Sequence, residues 1–181
     1  MKRLYLFLLT ALLLLPLFCS CVMTGEDETM TARIVRIYSD ADALKRVVYG
    51  SVAVKSAIVA EDERESGRRR VLNLGHTIAH AIEKSTRELN HGEAVAVGIS
   101  MISHASVKLG IMAEECAERI DTLLRRLGFE LRVPVALSAV LREVRYDKKK
   151  RDNILRVVLP ESIGCCRVMD MPFDEFEKLF V

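Results

Sequence analysis

The 181-residue chain contains no tryptophan, and aromatic residues of all kinds make up only 6% of it. Proline and glycine are also scarce, at four and nine residues, while half of the chain is hydrophobic. That combination excludes a collagen-like or intrinsically disordered polymer. Five cysteines are too few for a disulfide scaffold at this length. No sign of charge dominates: 27 Lys and Arg face 25 Asp and Glu, leaving +2. A nucleic-acid binder would carry a clearer basic footprint, so none is expected as a partner. The length suits one principal domain.

The front of the chain differs from the rest. In residues 1–21, Lys2 and Arg3 precede an apolar run from Leu4 to Phe18, interrupted at Thr10 and Pro16, and Ser20 and Cys21 follow. This is the layout of a secretory signal, or of a lipoprotein leader ending at Cys21, although Phe18 and Cys19 stand where smaller residues are expected. The run is shorter than the ~20 residues of a spanning helix, so a membrane partner is expected only if the leader operates. The competing reading is an apolar helix of the fold or a rearranged start. Residues 22–39 read as a polar linker and residues 40–181 as the domain proper.

Hydrophobic periodicity makes that domain mostly α-helical. Leu44, Val47, Val48, Val52, Val54, Ile58 and Val59 predict a helix with a buried face, broken by the charged segment 61–70. Further helices are predicted over residues 74–84, 91–109 (stopping at Gly110) and 114–127 (stopping at Gly128). The helix over 91–109 is nearly all small or apolar, which makes it central and calls for close neighbours at Gly98. Ser138 is a candidate cap for a short helix over 139–145. Residues 154–159 and 164–169 predict a small β hairpin, and Pro172 opens a terminal helix through Phe180.

Three of the four histidines fall within residues 73–93, NLGHTIAHAIEKSTRELNHGE. His76 and His80, four apart, share one helix face. His91 follows a short polar loop, so His76 and His91 can meet at one point. Neutral imidazoles suit Zn²⁺ or a neighbouring transition metal, which wants about three protein ligands and an open position. The nearby carboxylates are Glu83 and Glu93, the latter expected to face away. No glutamate follows His76, so this is not the HExxH pattern of zinc proteases. His104 has no apparent partner in its helix and reads as structural. Arg68, Arg69 and Arg70, and later Lys148, Lys149, Lys150 and Arg151, suggest a small anionic substrate, or else solvated faces balanced by Glu61, Asp62, Glu63 and Glu65. Cys116, Cys165 and Cys166 lack ligand spacing and read as reduced, packed thiols, which favours the cytoplasm and conflicts with the leader.

Three ordered stretches, VKSAIVAEDERESGRRRVLNLGHTIAHAIE, HGEAVAVGISM and YDKKKRDNILRVVLPESIG, resemble the C-terminal domain of 3-dehydroquinate synthase, a member of the sugar-phosphate cyclases. The resemblance implies a mostly α, metal-binding domain with a small late hairpin. It implies His76 and His91 as two of three ligands to Zn²⁺ or Co²⁺. It also implies His80, Lys55, Arg69, Asn73, Lys148 and Lys149 as the groups that hold an anionic sugar-phosphate substrate. The family converts DAHP, a seven-carbon keto-acid sugar phosphate, to 3-dehydroquinate in the shikimate pathway of aromatic amino-acid biosynthesis, in the cytoplasm. Bound NAD⁺ oxidises a hydroxyl, phosphate leaves by β-elimination, the hydride returns, and the ring opens and recloses.

Departures from the family pattern accompany this. No GxGxxG or GGG stands upstream of Gly67, the family's AEVIK-like glutamate has no match in residues 1–39, and Ala79 stands where the family has Gly. The expectation is therefore a domain inactive alone, working with a complementing nucleotide-binding domain or a second copy. The alternatives are an exported or lipid-anchored binding protein without NAD chemistry, and a glycerol-dehydrogenase-like polyol oxidoreductase.

Overall fold

A computed structural model describes residues 41–65, 67–148 and 153–181. The leader and linker (residues 1–39) and Lys149 lie outside them, as does the side chain of Lys148. The elements run α1 (Ala41–Glu61), a 3-10 helix (Arg68–Asn73), α2 (His76–Ser85), α3 (His91–Lys108), α4 (Glu114–Arg126), α5 (Leu137–Lys148), β1 (Ile154–Ser162), β2 (Cys165–Pro172) and α6 (Phe173–Lys178). The architecture is mostly helical with one antiparallel two-stranded sheet, as the periodicity predicts. No described helix is long and apolar enough to cross a membrane.

The centre of the molecule is α3. Ala94, Val95, Ala96, Val97 and Ile99 are almost fully buried, and α2, α4 and β1 pack around them. So many small residues let neighbouring backbones come close, and they come closest at Gly98. A Cβ built there would lie 2.2 Å from the carbonyl oxygen of Gly75 and 3.3 Å from the amide nitrogen of Ala79. Gly75 has φ +77°, and a Cβ on it would meet Ile99 at 2.8 Å. Both positions therefore require glycine, one for space and the other for space and handedness. Ala79 is fully buried and sits in this seam.

α3 begins at a capping box: Asn90 Oδ1 accepts from the Glu93 amide at 3.0 Å, and the Glu93 carboxylate accepts from the Asn90 amide at 2.8 Å. Gly110, at φ +68°, follows its end. In the hairpin, Leu155, Val157 and Leu159 of β1 are buried, and Phe173 and Phe176 of α6 close the core beneath it. Arg156 pairs directly with Asp170 across the strands.

Several expectations are corrected. α1 does not bury its whole apolar face: Ile58 is 3% exposed, but Val52 is 52% and Tyr49 74% exposed. Among its packing partners is the 3-10 helix, and Val54 packs against the core. α5 begins at Leu137, so Ser138 lies inside its first turn and not before it. Among the thiols, Cys116, Cys165 and Cys166 are free, but Cys165 is exposed and donates to Glu161. Burial pushes the Cys166 thiol up to about 12.

Gly98→Ala is expected to destabilise the domain by about 1–3 kcal/mol, the usual cost of overpacking, because its contact is backbone and cannot swing away. Urea unfolding of the variant against wild type measures this.

Candidate active site

The site forms where α2 and α3 start. Gly75 turns the chain out of the 3-10 helix, and His76 opens α2 at once. Along α2, Ile78, Ala79 and Ile82 face the core. His76, Thr77, His80, Ala81 and Lys84 instead line an open cavity of about 550 Å³. The i, i+4 spacing stacks His80 one turn above His76, with ring centres 5.6 Å apart. His91, at the start of α3, brings its ring to 5.4 Å from His76 and 6.3 Å from His80. The three imidazoles thus meet as the spacing suggested. His91 itself sits at the cavity's edge and does not form its wall.

The hydrogen bonds assign the tautomers of two of these rings. His76 Nδ1 lies 3.1 Å from the carbonyl oxygen of Leu74, and His91 Nδ1 lies 3.1 Å from Glu83 Oε1. A carbonyl or carboxylate oxygen only accepts, so each Nδ1 carries the proton and each neutral ring keeps its lone pair on Nε2. Burial holds the His76 pKa below the ordinary histidine value. The neighbouring His80 and His91 add to that, while the Leu74 carbonyl and Glu83 oppose it. A lowered pKa keeps His76 in the form that binds metal. Two imidazoles on one tetrahedral ion would have ring centres about 5 Å apart, given metal–nitrogen distances near 2 Å. The His76–His91 pair fits that requirement. Among the described residues no set of three His, Cys, Asp or Glu side chains is arranged to hold a metal. Glu93 is committed to its capping box.

The cavity's other walls come from distant parts of the chain. Arg70 and Asn73 reach in from the 3-10 helix, Glu143 from α5, and Arg156 and Asp170 from the hairpin. Asp170 holds Arg156 through two 2.6 Å hydrogen bonds, and the guanidinium keeps the Asp170 carboxyl below the usual carboxylate range. Glu65 also lines the cavity. Its backbone is in the left-handed region at φ 55°, its carbonyl accepts from Arg70 Nε at 3.0 Å, and its carboxylate accepts from Asn73 Nδ2 at 2.6 Å. A residue in the left-handed region, tethered once at its carbonyl and once at its carboxylate and lining a cavity, is a functional candidate. Charge balance alone had counted Glu65 with the solvated acids; its position in the DERESG stretch was the signal that could have marked it.

The remaining sequence candidates are placed as follows. Asn73 and His80 line the cavity, whereas Lys55 and Arg69 do not. Arg69 donates through Nη1 to the Glu63 carbonyl at 2.7 Å, and Arg68 bonds Glu61 at 2.5 Å. His104, expected to lack a partner, lies 3.2 Å from Asp121 of α4, whose carboxylate also faces Arg125 at 3.5 Å. Thirteen residues along α3, it is roughly 20 Å from His91.

The family model described as 3-dehydroquinate synthase C-terminal matches residues 23–150. The chain belongs to that family. The 3-dehydroquinate synthase of Cereibacter sphaeroides is 42% identical over 144 residues, which cover 75% of this chain and 39% of that enzyme. The one from Dictyoglomus turgidum is 37% identical over 133 residues, 72% of this chain and 38% of the enzyme. The chain thus spans well under half the length of these relatives. Two solved structures share the fold. A 2-deoxy-scyllo-inosose synthase, complexed with carbaglucose-6-phosphate, NAD⁺ and Co²⁺, superposes with a TM-score of 0.73 at 18% identity, over 94% of this chain and 50% of that one. A 2-epi-5-epi-valiolone synthase from Streptomyces hygroscopicus subsp. jinggangensis, with NAD⁺ and Zn²⁺ bound, gives 0.72 at 21% identity, over 94% and 48%.

His76→Ala and His91→Ala are each expected to abolish stoichiometric Co²⁺ binding, while His104→Ala leaves it intact. Titration followed by the visible Co²⁺ absorption checks this; equal behaviour of all three variants would refute the assignment.

Proposed function

We propose that this chain provides the metal- and substrate-binding half of a 3-dehydroquinate synthase, a cytoplasmic enzyme converting DAHP to 3-dehydroquinate with loss of phosphate. The observation that carries the reading is the meeting of the His76–His91 pair with a cavity walled by His80, Asn73, Glu65, Arg70 and Arg156. In that role His76 and His91 hold Zn²⁺ or Co²⁺, with a third ligand from beyond the described residues. Such an ion supplies Lewis acidity, polarising a substrate hydroxyl and its ketone. Relatives of this fold with NAD⁺ bound supply the model for the cofactor.

Each wall of the cavity then has a task. Arg70 is the cation best placed to receive the departing phosphate, because its charge faces the cavity while its Nε is fixed by Glu65. Arg156 adds positive charge but is partly neutralised by Asp170, which favours recognition of hydroxyls beside the phosphate. His80, one turn above His76 with its ring edge-on to it, is the candidate for proton transfer beside the metal pair in this reading. Glu65, oriented by Asn73, is the carboxylate for proton abstraction or for steering one through water. Lys148 and Lys149, from the DKK stretch, complete the anion site in this reading.

The test is phosphate release from DAHP with NAD⁺ and Zn²⁺. The purified chain is assayed alone and with the nucleotide-binding half of a curated relative supplied as a separate polypeptide. Release is expected only in the second case, and Glu65→Gln should lower it by about 10²-fold or more, the usual contribution of a general base. Zn²⁺ uptake without release in either case would reject the synthase reading.

A further inference from the structure

Glu83 has a place in the site that neither its motif nor the cavity explains. It lies seven residues after His76 and three after His80, on the α2 face turned toward the start of α3, and it does not line the cavity. Its Oε1 instead meets His91 Nδ1 at 3.1 Å, with both side chains partly exposed at 32% and 43%. Exposed pairs of this kind contribute little to stability, so the contact is poorly accounted for as a fold element.

We propose that Glu83 is a positioning residue of the metal centre: its carboxylate accepts the Nδ1 proton of His91 and so presents the Nε2 lone pair to the ion. This rests on the reading of His76 and His91 as ligands. The Leu74 carbonyl does the same for His76 at the same distance, so the two rings are held by a matched pair of acceptors, one neutral and one anionic. Such acceptors fix the tautomer and ring orientation and raise the basicity of the ligand nitrogen. Glu83 is not itself the missing third ligand. Nδ1 and Nε2 point from diverging edges of the ring, and a carboxylate bonded to the first cannot reach an ion held by the second. The division between the two nearby acids is thereby complete: Glu93 builds the helix start that carries His91, and Glu83 sets how the ring is turned.

The test uses the full chain and Co²⁺. Glu83→Ala is expected to weaken Co²⁺ binding about 10- to 100-fold, the range seen when such supporting groups are removed. Glu83→Gln keeps an acceptor oxygen and is expected to recover most of that loss. At saturating Co²⁺ both variants should keep the wild-type intensity of the visible absorption, since no ligand has been removed. Wild-type affinity in Glu83→Ala would overturn the positioning role while leaving the ligands in place. A Glu83→Gln variant as weak and as altered in spectrum as His91→Ala would make Glu83 a ligand and overturn it too. A wild-type chain that takes up no Co²⁺ would overturn the ligand assignment, and this inference with it.

Discussion

The contact on which the site depends is between two glycines. At Gly98 the backbone of α3 approaches the Gly75 carbonyl so closely that no Cβ can stand between them. That approach brings the first turn of α2 directly against α3. Because α3 also starts only a short loop after α2 ends, the two helices return on each other, and His91 comes back beside His76. A wider seam would leave each imidazole intact and separate the pair. The seam is apolar and built of Ile78, Ala79, Val95 and Ile99, so its position is set by close packing and tolerates little adjustment.

Around that seam, polar groups are held by other polar groups with little left to chance. Asp62 accepts from the Gly67 amide at 2.7 Å and the Arg69 amide at 3.1 Å, which ties the acidic turn to the start of the 3-10 helix. The same turn supplies the Glu63 and Glu65 carbonyls to Arg69 and Arg70. One arginine of the cluster is therefore consumed in folding the turn, and another is delivered to the cavity by it. The hairpin adds Arg156 with its own cross-strand partner. The cavity is in this way lined by oriented charges of both signs, with Arg70, Lys84 and Arg156 facing Glu65, Glu143 and Asp170.

The helices were legible because each has a local cause. The small, apolar run 94–99 announces a central helix, and Gly110 and Gly128 mark ends. On α1 the expected face is only partly covered, because periodicity reports an apolar face and not whether a neighbour exists to cover all of it. Val52 fits the helical period and is nonetheless exposed. The resemblance singled out Arg69, but the 3-10 turn spends Arg69 on the Glu63 carbonyl and brings Arg70 to the cavity.

What the sequence alone determined is therefore the set of groups with short-range causes: the helical period that stacks His80 on His76, the turn glycine before His76, and the ordered motifs that carry the family likeness. Only the tertiary structure decided which groups share one space. The hairpin contributes Arg156 and Asp170 from some 80 to 90 residues beyond His76, Glu65 turns inward through a left-handed backbone, and Glu83 meets His91 across two helices. The reason is physical. Period and capping act over one or two turns of chain, whereas a site is assembled by burial of surfaces far apart in sequence, and that information resides in the packing.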